Sequence, residues 1–251
     1  MAIREQSTDP AIAAVLAEHA AGGDGVFGAG GQHGRGVVGT SSDHTAVEGN
    51  TENGIGVLGT GGQRGRGVVG TATNATAVEG YSERGVGIWG RGTPAGHFEG
   101  DVRVTGTVTA TDLILAGGDC AEDFDTAGSD FAPGSVLVID PSGGLRPSDQ
   151  PYDRRVAGVV SGAGNLRPGI VLDRAGADSE RVTVALNGKT FCMVDADHGA
   201  VEVGDLLTTS PTPGYAMKAD DPTRSFGAVI GKALQGCADG RGLIPILVSL
   251  Q

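Results

Sequence analysis

At 251 residues the chain has room for one or two domains and more than one packed region. Its 46 glycines and 4% aromatic content lie far from the averages of ordinary globular enzymes and suit repetitive β-structure. The formal charge of −12 falls as −3 on residues 1–24, −1 on 25–100 and −8 on 101–251, which argues against a nucleic-acid partner, since phosphate contacts need clustered Lys and Arg.

No apolar run approaches the length of a membrane span, and the N-terminus lacks a basic-then-apolar leader. The expectation is synthesis in the cytoplasm without a signal peptide and no membrane insertion. Cys120, Cys192 and Cys237 do not make a disulfide framework, so reduced thiols are expected.

In chain order, residues 1–8 read as a tail. Asp9-Pro10 then starts a helix, with Asp as the cap and Pro at the first helical position. Ile12, Val15, Leu16 and His19 follow at helical spacing until Gly22-Gly23. A helix this short is marginal by itself. Residues 1–24 are therefore expected to cap the stack that follows, or to attach the chain to something larger.

Residues 25–100 carry near-copies of one phrase, from Gly25-Val-Phe-Gly28 through Gly56-Val-Leu-Gly59 to His97-Phe-Glu-Gly100. Their closing glycines advance by ten or eleven residues, and residues 25–55 laid over 56–86 agree at about 20 of 31 positions. A fixed period of this kind marks a solenoid or fibre. Two apolar residues between glycines predict a short strand, and the Gly/Ser/Thr/Asn stretch after them a turn. One such strand cannot bury its apolar side alone. Either three chains wind about one axis, or one chain coils with three ten-residue sides per turn. The array holds little bulk beyond Phe27, Trp89 and Phe98, which favours three chains pooling theirs, with Val26, Val37, Val47, Val57, Val68, Val78, Ile88 and Phe98 as the shared core.

The Gly-Val-x-Gly repeats, followed by Gly100-Asp-Val-Arg-Val-Thr-Gly-Thr-Val-Thr-Ala-Thr-Asp112, resemble the shaft of trimeric bacteriophage tail fibres and related bacterial fibre proteins. The resemblance covers about a third of the chain. It implies a homotrimer on a virion or phage-tail-like particle, joined to a host particle or baseplate-like protein through the N-terminal helix, with surface glycans as a possible target.

Four segments, such as Gly34–Gly39 and Gly65–Gly70, match the dinucleotide fingerprint G-x-G-x-x-G. A true fingerprint occurs once, between a strand and a helix. Four copies on a periodic lattice are the lattice, and no cofactor is expected. Glu48 and Glu79 occupy equivalent places in successive units, and Glu99 closes the related His97-Phe-Glu-Gly100. These carboxylates are candidates for a ligand groove, or for a glycosidase pair. The plainer reading is a ladder of surface charges paired with Arg from a neighbouring strand or chain.

Val102, Val104 and Val108 alternate with threonines and predict a strand extending the repeats to residue 116. Residues 117–130 then read as an acidic linker. Cys120 fails as a nucleophile there, because Asp119, Glu122 and Asp123 would raise a thiol pKa. Those acids are also the one candidate cation site, although no metal is expected. Residues 131–251 predict a compact β-module with strands near Val136–Ile139, Val156–Val160, Gly169–Leu172, Val182–Leu186, Phe191–Val194, Leu206–Thr208, Ala228–Ile230 and Ile244–Leu250. In the order of its segments this module is similar to small β-domains of phage capsid-decoration proteins. His198 beside Asp195 and Asp197 reads as polar surface, and no catalytic set emerges.

The expected fold is all-β: a repeat-built β-helix or β-prism shaft over 25–116, trimeric, followed by a β-barrel or sandwich over 131–251, with a short N-terminal helix. The expected function is a homotrimeric fibre or decoration component, not an enzyme. A trimeric polysaccharide-degrading fibre and a free-standing lectin-like trimer are the alternatives.

Overall fold

A computed structural model of the chain describes residues 24, 26–128, 131–174 and 181–250. The helix expected from Asp9-Pro10 lies outside the described residues. The chain divides into two units, Met1–Val102 and Arg103–Gln251, so residues 103–116 of the run expected to extend the repeats fall with the C-terminal unit.

In the first unit the described residues form neither helix nor strand. Stretches with no regular structure, such as 37–40, 47–50 and 68–70, alternate with bends at the repeat spacing. The strands predicted there do not form a ladder within the chain, and the reason lies in how each repeat meets the next. The closing glycine of one phrase presses on the first residue of the following phrase. A Cβ on Gly59 would lie 2.5 Å from the Gly67 oxygen, and one on Gly67 would lie 2.5 Å from the Gly59 oxygen. Gly28 with Gly36, Gly49 with Gly56 and Gly80 with Gly87 repeat this mutual contact. Each such pair therefore brings two bare backbones together where a side chain on either residue would not fit. Where the partner is Ala46 or Ala77, the closing residue is still glycine (Gly39, Gly70).

The turns between phrases are closed in two ways. At Gly31–Gly34 and Gly62–Gly65 the glycine amide donates to the carbonyl three residues back, at 3.1 and 3.0 Å. Elsewhere a hydroxyl replaces that carbonyl: Ser41, Thr51 and Ser82 accept from the amides of His44, Gly54 and Gly85 at 3.1, 3.1 and 2.9 Å. Short polar side chains that mimic a backbone acceptor are a known turn device.

The second unit is a β-barrel built round one long strand. Its strands are β1 (Asp119–Asp125), β2 (Val136–Ile139), β3 (Leu145–Pro147), β4 (Val156–Val160), β5 (Pro168–Leu172), β6 (Arg181–Asp195), β7 (Leu206–Thr209), β8 (Ala216–Lys218), β9 (Val229–Ala233) and β10 (Arg241–Ser249). The only helical pieces among the described residues are a 3-10 turn at Ala196–His198 and a single α turn, α1, at Pro222–Ser225. Pairing runs β6–β10–β9–β7–β8 and back to β6, which closes a ring. The first half of β6 pairs with β1 and β4, and β4 carries β2 and β3 outward.

Alternation places the core. On β10, Ile244, Ile246 and Val248 point inward and are nearly sealed, as the period of two requires. They meet Cys192, Val194, Leu207 and Ile230 in the ring. A smaller cluster of Leu137, Leu145, Val160, Val182 and Val184 fills the space beneath β2 and β4.

Residues 119–125, expected as part of an acidic linker, are β1. Asp119, Ala121 and Asp123 face inward, and Thr183 donates to Asp123 at 2.6 Å while Ser161 donates to Asp119 at 2.8 Å. A buried acid with a hydroxyl partner fits a strand interior that an exposed linker would not require. The strands expected at 182–186 and 191–194 are one. Asn187-Gly188 does not turn; Gly188 takes φ +103° within the strand because Gly118 and Asp119 press on it.

Candidate functional site

Every described residue from 26 to 117 is exposed in the single chain. That is the dominant surface feature of the molecule. The row predicted as a shared core, Val26, Val37, Val47, Val57, Val68, Val78, Ile88 and Phe98, lies 64–75% exposed. Phe27, Leu58 and Trp89 beside it are more than two-thirds exposed as well. From Val37 to Ile88 each row residue reaches back toward the preceding closing glycine: a Cβ on Gly28 would meet Val37 at 2.6 Å, and one on Gly80 would meet Ile88 at 2.5 Å. The glycine thus seats the side chain on its inner side and leaves its outer side open.

Exposed apolar patches much beyond a few hundred Å² are unusual on proteins that work alone. Covering one Val or Ile of this row would contribute roughly 1.5 kcal/mol or more. The backbone is equally unpartnered. Among the described residues, only the two glycine turns supply backbone–backbone hydrogen bonds within 26–117. Any partner that dries this surface must pair its remaining amides and carbonyls. The surface therefore offers an apolar row beside backbone that makes few hydrogen bonds within the chain.

The candidate carboxylates are not brought together in any described contact. Glu48 accepts from the Asn50 side chain at 2.8 Å, and Glu99 lies 3.8 Å from His97, both fully in solvent. Glu79 is likewise exposed. Among the described residues no group of three or more His, Cys, Asp or Glu is placed to hold a metal, and no helix is long and apolar enough to cross a membrane.

In the barrel, two acids behave in opposite ways. Asp195, expected as surface, is 1% exposed. Burial raises its pKa, but hydrogen bonds from the Thr212 hydroxyl, the Asp197 amide at 3.0 Å and Arg241 at 3.2 Å outweigh it, and the carboxyl is held below the usual carboxylate range. This one side chain joins the end of β6, the 3-10 turn, the Pro211–Gly214 loop and the start of β10. Asp119 is pushed the other way: burial raises its pKa, and the hydroxyls of Ser161 and Thr190 offset only part of that. One Asp119 oxygen and the Thr190 hydroxyl have no hydrogen bond of good geometry. A carboxyl whose folded pKa is raised loses stability as pH climbs through that value. Asp119→Asn is therefore expected to raise the thermal midpoint at pH 7, with the gain vanishing below about pH 4; calorimetry at both pH values checks this.

Sequence reading gave no sign of the corner at Tyr152. Its backbone is left-handed at φ +61°, its hydroxyl donates to Asp220 at 2.6 Å and accepts from the Asp221 amide at 2.9 Å, and Arg224 stacks on the ring at 4.4 Å. Contacts between residues about 70 apart leave no local signal. A non-glycine residue in that region costs of order 1–3 kcal/mol, which the surrounding contacts must supply.

No protein-family model matches the chain, and comparison with curated proteins finds no match. Solved structures similar to it at low identity include the following three. The pre-mature gene product 12 of bacteriophage phi29 is 16% identical over 58% of this chain and 24% of that one, with a TM-score of 0.43. The C-terminal fragment of the same gene product is 15% identical over 52% and 100%, with a TM-score of 0.34. The N base of the phi29 head fiber gp8.5 is 19% identical over 53% and 90%, with a TM-score of 0.24. The match to the first thus spans less than a quarter of that protein's length.

Proposed function

We propose that this chain is a homotrimeric structural component of a phage or phage-tail-like particle, a fibre or decoration protein that contacts a target surface and performs no chemistry. The observation that carries the reading is the uncovered row from Val26 to Phe98, with few backbone hydrogen bonds beside it. The same phrase recurs at every step, so the partner that fits one step fits all of them, and a second and third copy of the chain supply that period by construction. The resemblance of the Gly-Val-x-Gly array to tail-fibre shafts supports the assignment to a particle. Residues 1–24 are the proposed attachment segment.

In solution, light scattering is expected to give a mass close to three times the 25.0 kDa of one chain. A mass of one chain would overturn the reading. Co-purification with particle proteins from the native source tests the assignment to a virion, and turnover of bacterial polysaccharides that Glu79→Gln abolishes would replace it with an enzymatic role.

A further inference from the structure

We propose that the barrel face made by β1 and β5 packs against a second copy of this chain and continues the inter-chain contact of the repeats; this rests on the homotrimeric reading above. Among the described residues β5 has one strand neighbour, β1, and the two run parallel. Parallel strands are ordinarily covered on both faces, and a bare edge is a template for pairing. Yet Ile170 and Leu172 on β5 are 40% and 45% exposed. Leu113, Ile114 and Leu115, just before β1, are exposed too.

Leu115 and Ile170 line one groove of about 260 Å³. Gly117, Gly118, Gly169 and Gly188 also line it, so much of its wall is bare backbone. Glycines in such numbers let another backbone approach closely. No Lys, Arg or Glu lines the groove, and the carboxyl of Asp119 is buried and hydrogen-bonded to Ser161, which leaves Asn187 as its exposed polar side chain. Glu122 stands beside it, paired with Leu172. A surface with this little charge suits a protein partner.

Covalent continuity names that partner. The exposed run does not end at the repeats but continues through Leu115. Four residue steps from Leu115 to Asp119 span about 13 Å when extended. If copies lie together along the repeats up to Leu115, the β1 strands of those copies begin within that distance of the shared contact, and the face beside β1 is the one brought toward its neighbours.

Cys120 lies in this groove and serves as a probe, while Cys237, also partly exposed and free, lies elsewhere beside Val201 and serves as the reference. The experiment compares the full chain with Ile170→Asp/Leu172→Asp by light scattering and by the rate of maleimide labelling at each cysteine, located by peptide mass. In a trimeric wild type, Cys120 is expected to label at least tenfold more slowly than Cys237, and the double variant to raise the Cys120 rate at least tenfold with Cys237 unchanged. Leu115→Asp, outside every strand, gives the same result without altering the barrel. A trimeric wild type whose Cys120 labels as fast as Cys237, or whose Cys120 rate neither variant changes, overturns this face and leaves the repeat contact standing. A monomeric wild type overturns both.

Discussion

Gly59→Ala is expected to disrupt the repeat region, whereas Gly62→Ala, three residues on, is expected to leave it intact. The added methyl at Gly59 would lie 2.5 Å from both the Gly67 oxygen and the Val68 side chain. Neither can yield cheaply: one is backbone, and the other is a member of the apolar row. Overpacking of this kind typically costs about 1–3 kcal/mol at each occurrence, and a homotrimer repeats it in every copy. At Gly62 the methyl meets nothing within 4 Å, and the backbone there is not left-handed. Thermal melting followed by circular dichroism, with light scattering beside it, separates the two. Equal melting of Gly59→Ala and wild type would show that the pinch between phrases is not what makes glycine necessary.

The second large effect belongs to the barrel. Asp195→Ala is expected to destabilise it by roughly 3 kcal/mol, because it removes a buried acceptor serving three donors and leaves Arg241 without its carboxylate. For a domain of this size the midpoint falls by on the order of 10 °C. The pH dependence has a defined sign. The folded pKa of Asp195 lies below its unfolded value, so its contribution is complete above about pH 4 and is lost as pH falls through the lower, folded value. Wild type and Asp195→Ala should therefore converge in strong acid. A constant gap from pH 7 to pH 2 would show that the side chain acts through packing and not through its charge.

The barrel was far more legible in the sequence than the repeats. Val136–Ile139 and Val156–Val160 are strands at the predicted residues, because short β-branched runs between Pro/Gly turns have few other options. What failed there failed for identifiable reasons. β1 hid behind its acids: Asp119 and Asp123 look solvated until Ser161 and Thr183, 42 and 60 residues away, arrive to partner them. Asn187-Gly188 has the composition of a hairpin turn, but its neighbour across the sheet is β1, which keeps the strand continuous through it with an irregularity beside Asn187. Asp195 looked like surface because Thr212 and Arg241 are distant in sequence. β3 and β8, three residues each, are too short to carry a period.

In the repeats the period itself was legible and its local geometry was not. A hydrophobic pair between glycines predicts a short strand, but no strand forms there among the described residues. Such a pair does not say where the hydrogen bonds go. Reading the closing glycines as turn residues missed their role as points of contact: apart from Gly100 they are not left-handed, and the space above most of them is taken by the next phrase. The candidate row was visible from spacing alone. That all of it would remain uncovered in one chain follows only from the coordinates.

The contacts between successive phrases make the array editable by whole units. From Gly28 to Gly80 the closing glycines press on the phrase that follows, so excising residues 56–86 would bring Gly49 against Gly87 and Ile88, the same pair that Gly80 already meets. Unequal crossing-over between the two 31-residue copies can therefore shorten or lengthen the gene in steps that preserve this kind of seam, which gives the lineage a ready means of changing the number of repeats.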